Sequence, residues 1–172
     1  STGPISIEPV IASCLKMVSN ELRHRARLVQ DIASDLPPVL GNASRLGQVF
    51  LNLLVNAAHA IPEGRLDANS IRLRAVAQDR TVVVEITDTG VGIPPQVIGR
   101  IFDPFFTTKP IGQGTGLGLA ISHEIVRSLG GSIAVESALG VGTTFRVTLP
   151  AAEPVASVVD AVATPRPPAT RL

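Results

Sequence analysis

Tryptophan and tyrosine are absent from this 172-residue chain, and aromatic residues make up only 3% of it. A core must therefore be aliphatic, drawn from a hydrophobic fraction of 45%. Cys14 is the single cysteine, so no disulfide can close within the chain. It lies in an apolar-periodic segment and is expected to be a small core residue. No apolar run is long enough to cross a bilayer, and no segment has the pattern of a signal peptide. The net charge of +1 gives no argument for nucleic acid or another polyanion as partner. The Gly-Lys-Ser/Thr of a P-loop is missing. The chain opens on Ser1 without Met and reads as a piece cut from a longer protein, or a processed one.

What is present has clear periods. Ile5–Val10 is apolar and is expected to be an edge strand. From Val10 to about Arg25, Ile11, Leu15, Val18 and Leu22 recur on one helical face. Arg27–Ile32 has strand character, and Leu36-Pro37-Pro38-Val39 breaks regular structure. Asn42 or Ser44 can cap the next helix, which runs to Ile61 and stops at Pro62. After a polar turn at Glu63–Asn69, Ile71, Leu73, Ala75 and Ala77 alternate as in a half-buried strand. Val-rich Thr81–Thr87 suits a central strand, joined to it through Gln78-Asp79-Arg80. Pro94–Arg100 allows a helical turn or two, and Phe102–Thr115 shows no period. Leu117–Leu129 is a helix stopped by Gly130-Gly131, and Ile133–Ser137 with Thr143–Leu149 forms a closing hairpin. The sum is an α/β two-layer sandwich: a mixed β-sheet with helices on one face. Residues 1–150 form one domain, and residues 151–172 a disordered Pro/Ala-rich tail or linker.

Four motifs follow one another within that domain. Asn52 and Asn56 stand in N-L-L-V-N-A, on a helix whose buried stripe is Leu46, Val49, Phe50, Leu53, Leu54, Ala57 and Ile61. Asparagine is a poor helix former, so two on one face suggest a ligand for their amide oxygens, of the kind a hard cation such as Mg²⁺ accepts. D-T-G-V-G-I-P spans Asp88 to Pro94, where Gly90 and Gly92 permit a turn and a close backbone approach, and Ile93 offers an apolar wall. F-D-P-F-F-T-T-K spans Phe102 to Lys109 and carries three of the five phenylalanines. G-Q-G-T-G-L-G-L spans Gly112 to Leu119. Its glycines do not follow a strand, as a dinucleotide fingerprint requires; they suit a flexible loop feeding a helix N-terminus, where backbone amides bind phosphate oxygens.

In this order the motifs resemble the N, G1, F and G2 boxes of the ATP-binding catalytic domain of bacterial sensor histidine kinases, in the GHKL or Bergerat-fold superfamily. The resemblance covers about residues 5–150. It implies a Bergerat fold with a mobile ATP lid, with ATP and Mg²⁺ as cofactors. Asn56 would bind the Mg²⁺ that bridges the ATP phosphates, with Asn52 an auxiliary ligand or a group behind it. Asp88 would accept from the exocyclic amine of adenine and repel the guanine carbonyl, supported by Thr143 of G-T-T-F. Ala60, Gly90, Gly92, Ile93 and Phe102 belong to the same nucleotide site, Phe102 also as a loop anchor. Gly114, Thr115, Gly116, Leu117 and Gly118 would meet the phosphates, with Leu117 and Leu119 anchoring the helix. Lys109 is placed as a mobile charge for the terminal phosphate, or as a solvated lid charge. His59 is either a phosphate-facing group or a solvated histidine.

The same resemblance includes a separate helical-hairpin domain with a phosphoacceptor histidine followed by an acid. His24 is followed by Arg25, His123 lies after the glycine loop, and Asn20-Glu21-Leu22-Arg23 belongs to the first helix. The expectation is a chain that binds Mg-ATP without its own acceptor, a monomer whose parent kinase is a homodimer. Its partners would be the histidine-containing dimerisation domain and a downstream response regulator. The setting would be the bacterial cytoplasm, with the parent kinase free or membrane-attached. A gyrase- or chaperone-like ATPase, or a serine kinase or ATP-binding module acting on a partner, are the competing readings. Asn52 stands where the ATPase branch carries a glutamate general base, so negligible hydrolysis is expected.

Overall fold

The computed structural model describes residues 1–108 and 116–152. Strand β1 (Gly3–Ile5) leads into helix α1 (Ile7–Leu22), then β2 (Arg27–Ile32), β3 (Val39–Gly41) and α2 (Ala43–His59). Next come β4 (Ser70–Gln78), β5 (Thr81–Asp88), α3 (Gly118–Ser128), β6 (Ser132–Ala138) and β7 (Gly142–Pro150). Five strands form one sheet in the order β2-β4-β5-β7-β6, with β2 parallel to β4 and the remaining pairs antiparallel. β1 and β3 make a separate antiparallel pair.

The two faces of the sheet follow from strand alternation. Ile71, Leu73 and Ala75 of β4 and Val82, Val84 and Ile86 of β5 are buried. They share one cluster with the apolar stripes of α1 (Ile7, Ile11, Val18) and α2 (Leu46, Phe50, Leu53). On the opposite face a row of alternating charge crosses four strands in register, Asp31–Arg74–Glu85–Arg146. Glu85 meets Arg74 at 3.2 Å and Arg146 at 3.3 Å. Charged side chains opposite one another suit a solvent-facing sheet surface.

Helix ends obey local rules. The Asn42 side chain, not that of Ser44, caps α2 by accepting from the Arg45 N–H at 3.1 Å. At the end of α3, Gly130 has φ +81°, and the N–H groups of Gly131 and Gly130 donate to the carbonyls of Val126 and Arg127. This closes the helix with a left-handed glycine. The end of α2 depends on distant sequence: Arg25 Nη1 donates to the Ile61 carbonyl at 2.9 Å and to the Ala58 carbonyl at 3.4 Å. A charged donor on partly buried carbonyls contributes about 2 kcal/mol. Arg25→Ala is therefore expected to lower the melting temperature by about 5 °C, read by thermal unfolding.

Three expectations from the sequence are corrected. Ile5–Val10 is not a strand: β1 ends at Ile5, and α1 begins at Ile7 instead of Val10. Pro9 lies in the first turn, where a backbone N–H has no intrahelical acceptor and proline costs nothing. Val39 does not merely end a break but opens β3, whose three residues are too few to show a period. Ala77, beside the hairpin turn, is exposed, so the buried alternation of β4 ends at Ala75. The ordered chain also passes residue 150, since the Ala151 N–H donates to the Arg80 carbonyl and that of Ala152 to the Pro38 carbonyl. The remaining tail expected to be disordered lies outside the described residues.

Candidate functional site

A cavity of about 500 Å³ opens between α2, the end of β5, the segment after it and the start of α3. That volume suits a nucleotide-sized ligand. Asn52, Asn56, His59 and Ala60 line it from α2, Asp88 and Thr143 from the sheet. Gly92 and Ile93 contribute from the loop after β5, and Gly116 and Gly118 from the approach to α3.

Asp88 is the buried charge of the site, only 4% exposed. Burial pushes its carboxyl from 3.8 up to about 6, against the opposing pull of the Gly90 and Thr143 backbone N–H donors. The Gly90 N–H reaches Oδ1 at 2.8 Å. Gly90 does not line the cavity: its close approach is to the end of α2, where an added Cβ would stand 2.4 Å from the Ala60 carbonyl oxygen. The neighbouring Val91 N–H donates to that same oxygen at 2.9 Å. Gly92 has φ +77°, and a Cβ there would meet the Ala138 carbonyl at 2.2 Å. Both glycines thus hold the loop between α2 and β6, so that Ile93 forms cavity wall.

The asparagines divide their work. Asn52 Nδ2 donates to the Gly118 carbonyl and to Ser122 Oγ, each at 3.2 Å. A carbonyl only accepts, so the nitrogen must face α3, and Oδ1 remains as an acceptor. Ser122 is fully buried, with its own proton on the Gly118 carbonyl at 2.9 Å. Asn56 lies one turn on, and its side-chain amide has no hydrogen-bond partner among the described residues. An unpartnered amide oxygen beside a second one with its nitrogen committed elsewhere fits a hard cation that takes most of its ligands from water and phosphate. His59 Nε2 lies 3.6 Å from Glu21 of α1.

At the far side, α3 begins without a side-chain cap, which leaves its first turn suited to an anion. The Phe105 N–H donates to the Gly116 carbonyl at 2.9 Å. Phe105 holds φ +67° and is 74% exposed. Thr107, Thr108 and Phe106 line the cavity, with the Arg100 guanidinium 4.7 Å from the Phe106 ring centroid. Phe102 is stacked on His123 at 5.0 Å and edge-on to Phe145, a cavity-lining residue, at 6.3 Å. Phe102 is thus an anchor, as one of its two expected roles required, and is not cavity lining. Leu117 likewise does not line the cavity. Lys109, Gly114 and Thr115 lie outside the described residues. Ser122 and Ser137, which support the site from behind, carry no signal in the sequence, because isolated serines occur anywhere.

The sequence profile of the family described as histidine kinase-, DNA gyrase B- and HSP90-like ATPase matches residues 41–153, well over half of the chain. The chain belongs to this family. Within it the chain is similar to sensor kinases. It is 38% identical to sensor kinase CckA of Brucella abortus (strain 2308) over 157 residues, 85% of this chain but 17% of that protein. It is 38% identical to the sensory histidine kinase/phosphatase NtrB of Rhodobacter capsulatus over 158 residues, 87% of this chain and 44% of that one. Among solved structures it is similar to the mycobacterial sensor histidine kinase MprB, with a TM-score of 0.75 and 32% identity, covering 88% of this chain and 98% of that one. The family accounts for the two-layer sheet-and-helix domain and for a nucleotide-sized cavity at this place. Among the described residues no helix is long and apolar enough to cross a membrane.

Proposed function

We propose that this domain binds Mg-ATP and donates its γ-phosphoryl group to a histidine on a separate dimerisation domain of a two-component sensor kinase. The observation that carries the reading is one cavity lined by the buried Asp88 carboxylate and the Asn56 amide and reached by the start of α3, which has no side-chain cap. Asp88 and Thr143 take the adenine edge, and Ile93 packs on the ring. Asn56 and Asn52 would hold Mg²⁺ through their amide oxygens, and the ion would neutralise phosphate charge. The amides of the α3 first turn take phosphate oxygens, and Lys109 takes the terminal phosphate. Phosphoryl transfer is mostly positioning and charge neutralisation, which these groups supply. The nucleophile and its activating acid come from the partner domain. Asn52 holds no proton-accepting carboxylate in reach of a water, so hydrolysis by this chain alone is negligible.

The setting follows the reading: a cytoplasmic domain, monomeric alone, within a homodimeric kinase that serves a response regulator. The test is incubation with γ-labelled ATP and a histidine-bearing helical-hairpin domain from a sensor kinase. Acid-labile, base-stable label on the added domain, with none on this chain, is the expected result. Steady ATP turnover by this chain alone, or acid-stable phosphoserine on the partner, overturns it.

A further inference from the structure

Ser137 does not line the cavity, yet its hydroxyl touches two of the elements that do. It accepts the Ile93 backbone N–H at 2.7 Å, across 44 residues of sequence. It lies 2.8 Å from Thr143 Oγ1 and 3.1 Å from the Gly142 carbonyl oxygen. Thr143 is 5% exposed and pairs with Asp88 in the β5–β7 register.

A hydroxyl has one proton and two lone pairs. One lone pair of Ser137 is taken by the Ile93 N–H. The Ser137 proton goes to the Gly142 carbonyl oxygen, which can only accept. The Thr143 hydroxyl then donates to the second lone pair of Ser137 and faces the cavity as an acceptor. Without the Ser137 hydroxyl, Thr143 would lose that acceptor and its proton would be free to turn toward the cavity. One hydroxyl on an edge strand therefore sets both the seat of the ring-packing wall and the polarity that Thr143 shows to a base.

We propose that Ser137 is a positioning residue for base recognition, acting through the Ile93 backbone and the Thr143 hydroxyl. The proposal rests on the reading of Asp88 and Thr143 as the adenine-recognising pair. Ser137→Thr keeps the hydroxyl; Ser137→Ala removes it.

The experiment is calorimetric titration of this chain with a magnesium-loaded non-hydrolysable ATP analogue and with the matching triphosphate of unsubstituted purine, which lacks the 6-amino group. Ser137→Ala is expected to lose about tenfold in affinity for the adenine compound, the loss of one hydrogen bond, and to lose clearly less for the purine compound, so that discrimination shrinks. Ser137→Thr is expected to restore both. Combined with Thr143→Val, the Ser137→Ala effect is expected to be less than additive, as for groups acting as a unit. Unchanged affinity in Ser137→Ala overturns the proposal. So does a parallel loss for both compounds with a lowered melting temperature, which marks a purely structural serine. An Asp88→Asn arm separates the two levels. If that variant binds and discriminates like the native chain, the base-recognition reading itself fails, and this proposal with it. If it loses adenine binding while Ser137→Ala behaves as native, only the proposal fails.

Discussion

Asp88→Asn is expected to lose adenine-nucleotide affinity on the order of 100-fold while the empty protein becomes more stable at neutral pH. The affinity loss follows from charge and polarity. The carboxylate can only accept, whereas an asparagine turned the wrong way offers an N–H to the adenine amine, and a hydrogen bond to a charged group contributes about 1.5–3 kcal/mol. The stability gain follows from burial. The Asp88 carboxyl is raised from 3.8 to about 6 because desolvation outweighs its two backbone donors. Between those pH values the folded protein holds a proton that the unfolded chain has released. Stability from this group is therefore full below pH ~4 and lost as pH rises through ~6, by up to ~3 kcal/mol. Asparagine removes that loss and keeps an oxygen for the Gly90 N–H. The melting temperature of the variant is expected to equal or exceed that of the native chain at pH 8 and to lose its advantage near pH 4. The same protonation predicts that native affinity falls about tenfold per pH unit below ~6, with no such slope in the variant. Calorimetry and thermal unfolding over pH 4–8 read all three. A variant that binds ATP like the native chain removes Asp88 from base recognition.

Asn56→Ala is expected to reduce phosphoryl transfer to an added acceptor domain by on the order of 1,000-fold, the scale of a lost charge-stabilising group at a transition state. It should also abolish the dependence of binding on Mg²⁺. The fold should not suffer. The Asn56 amide has no partner among the described residues, and alanine is the better helix former by about 0.6 kcal/mol. Single-turnover transfer, Mg²⁺ titration and thermal unfolding together separate the outcomes. Full transfer in the variant would move the cation site elsewhere. Both variants trade function for stability, Asp88 because its charge is buried and Asn56 because its amide is unpartnered among the described residues.

Much of this molecule was legible because its signals are local. The stripe of α2, the capping Asn42, the turn around Asp79 and the glycine stop of α3 are each set by contacts within a few residues. The four motifs were recognisable for the same reason, since each is one short segment. Phe102 was legible as an anchor but not as missing from the cavity lining, because lining depends on which side chains pack around it. The first helix was placed three residues late, because a short apolar segment containing proline suits an edge strand and a first helical turn equally.

The fold class, the family and the order of the four motifs were all readable from residue pattern alone. How the cavity-lining side chains are held could be read only from the folded chain. It alone showed Arg25 closing the end of α2, Ser122 turning the Asn52 amide nitrogen toward α3, and Ser137 joining Ile93 to Thr143. Those partners lie 36, 70, 44 and 6 residues apart. The physical reason is that side-chain period and turn chemistry act over a few residues of chain. The direction of a hydroxyl or an amide is set instead by whichever acceptor the packed sheet and helices bring beside it.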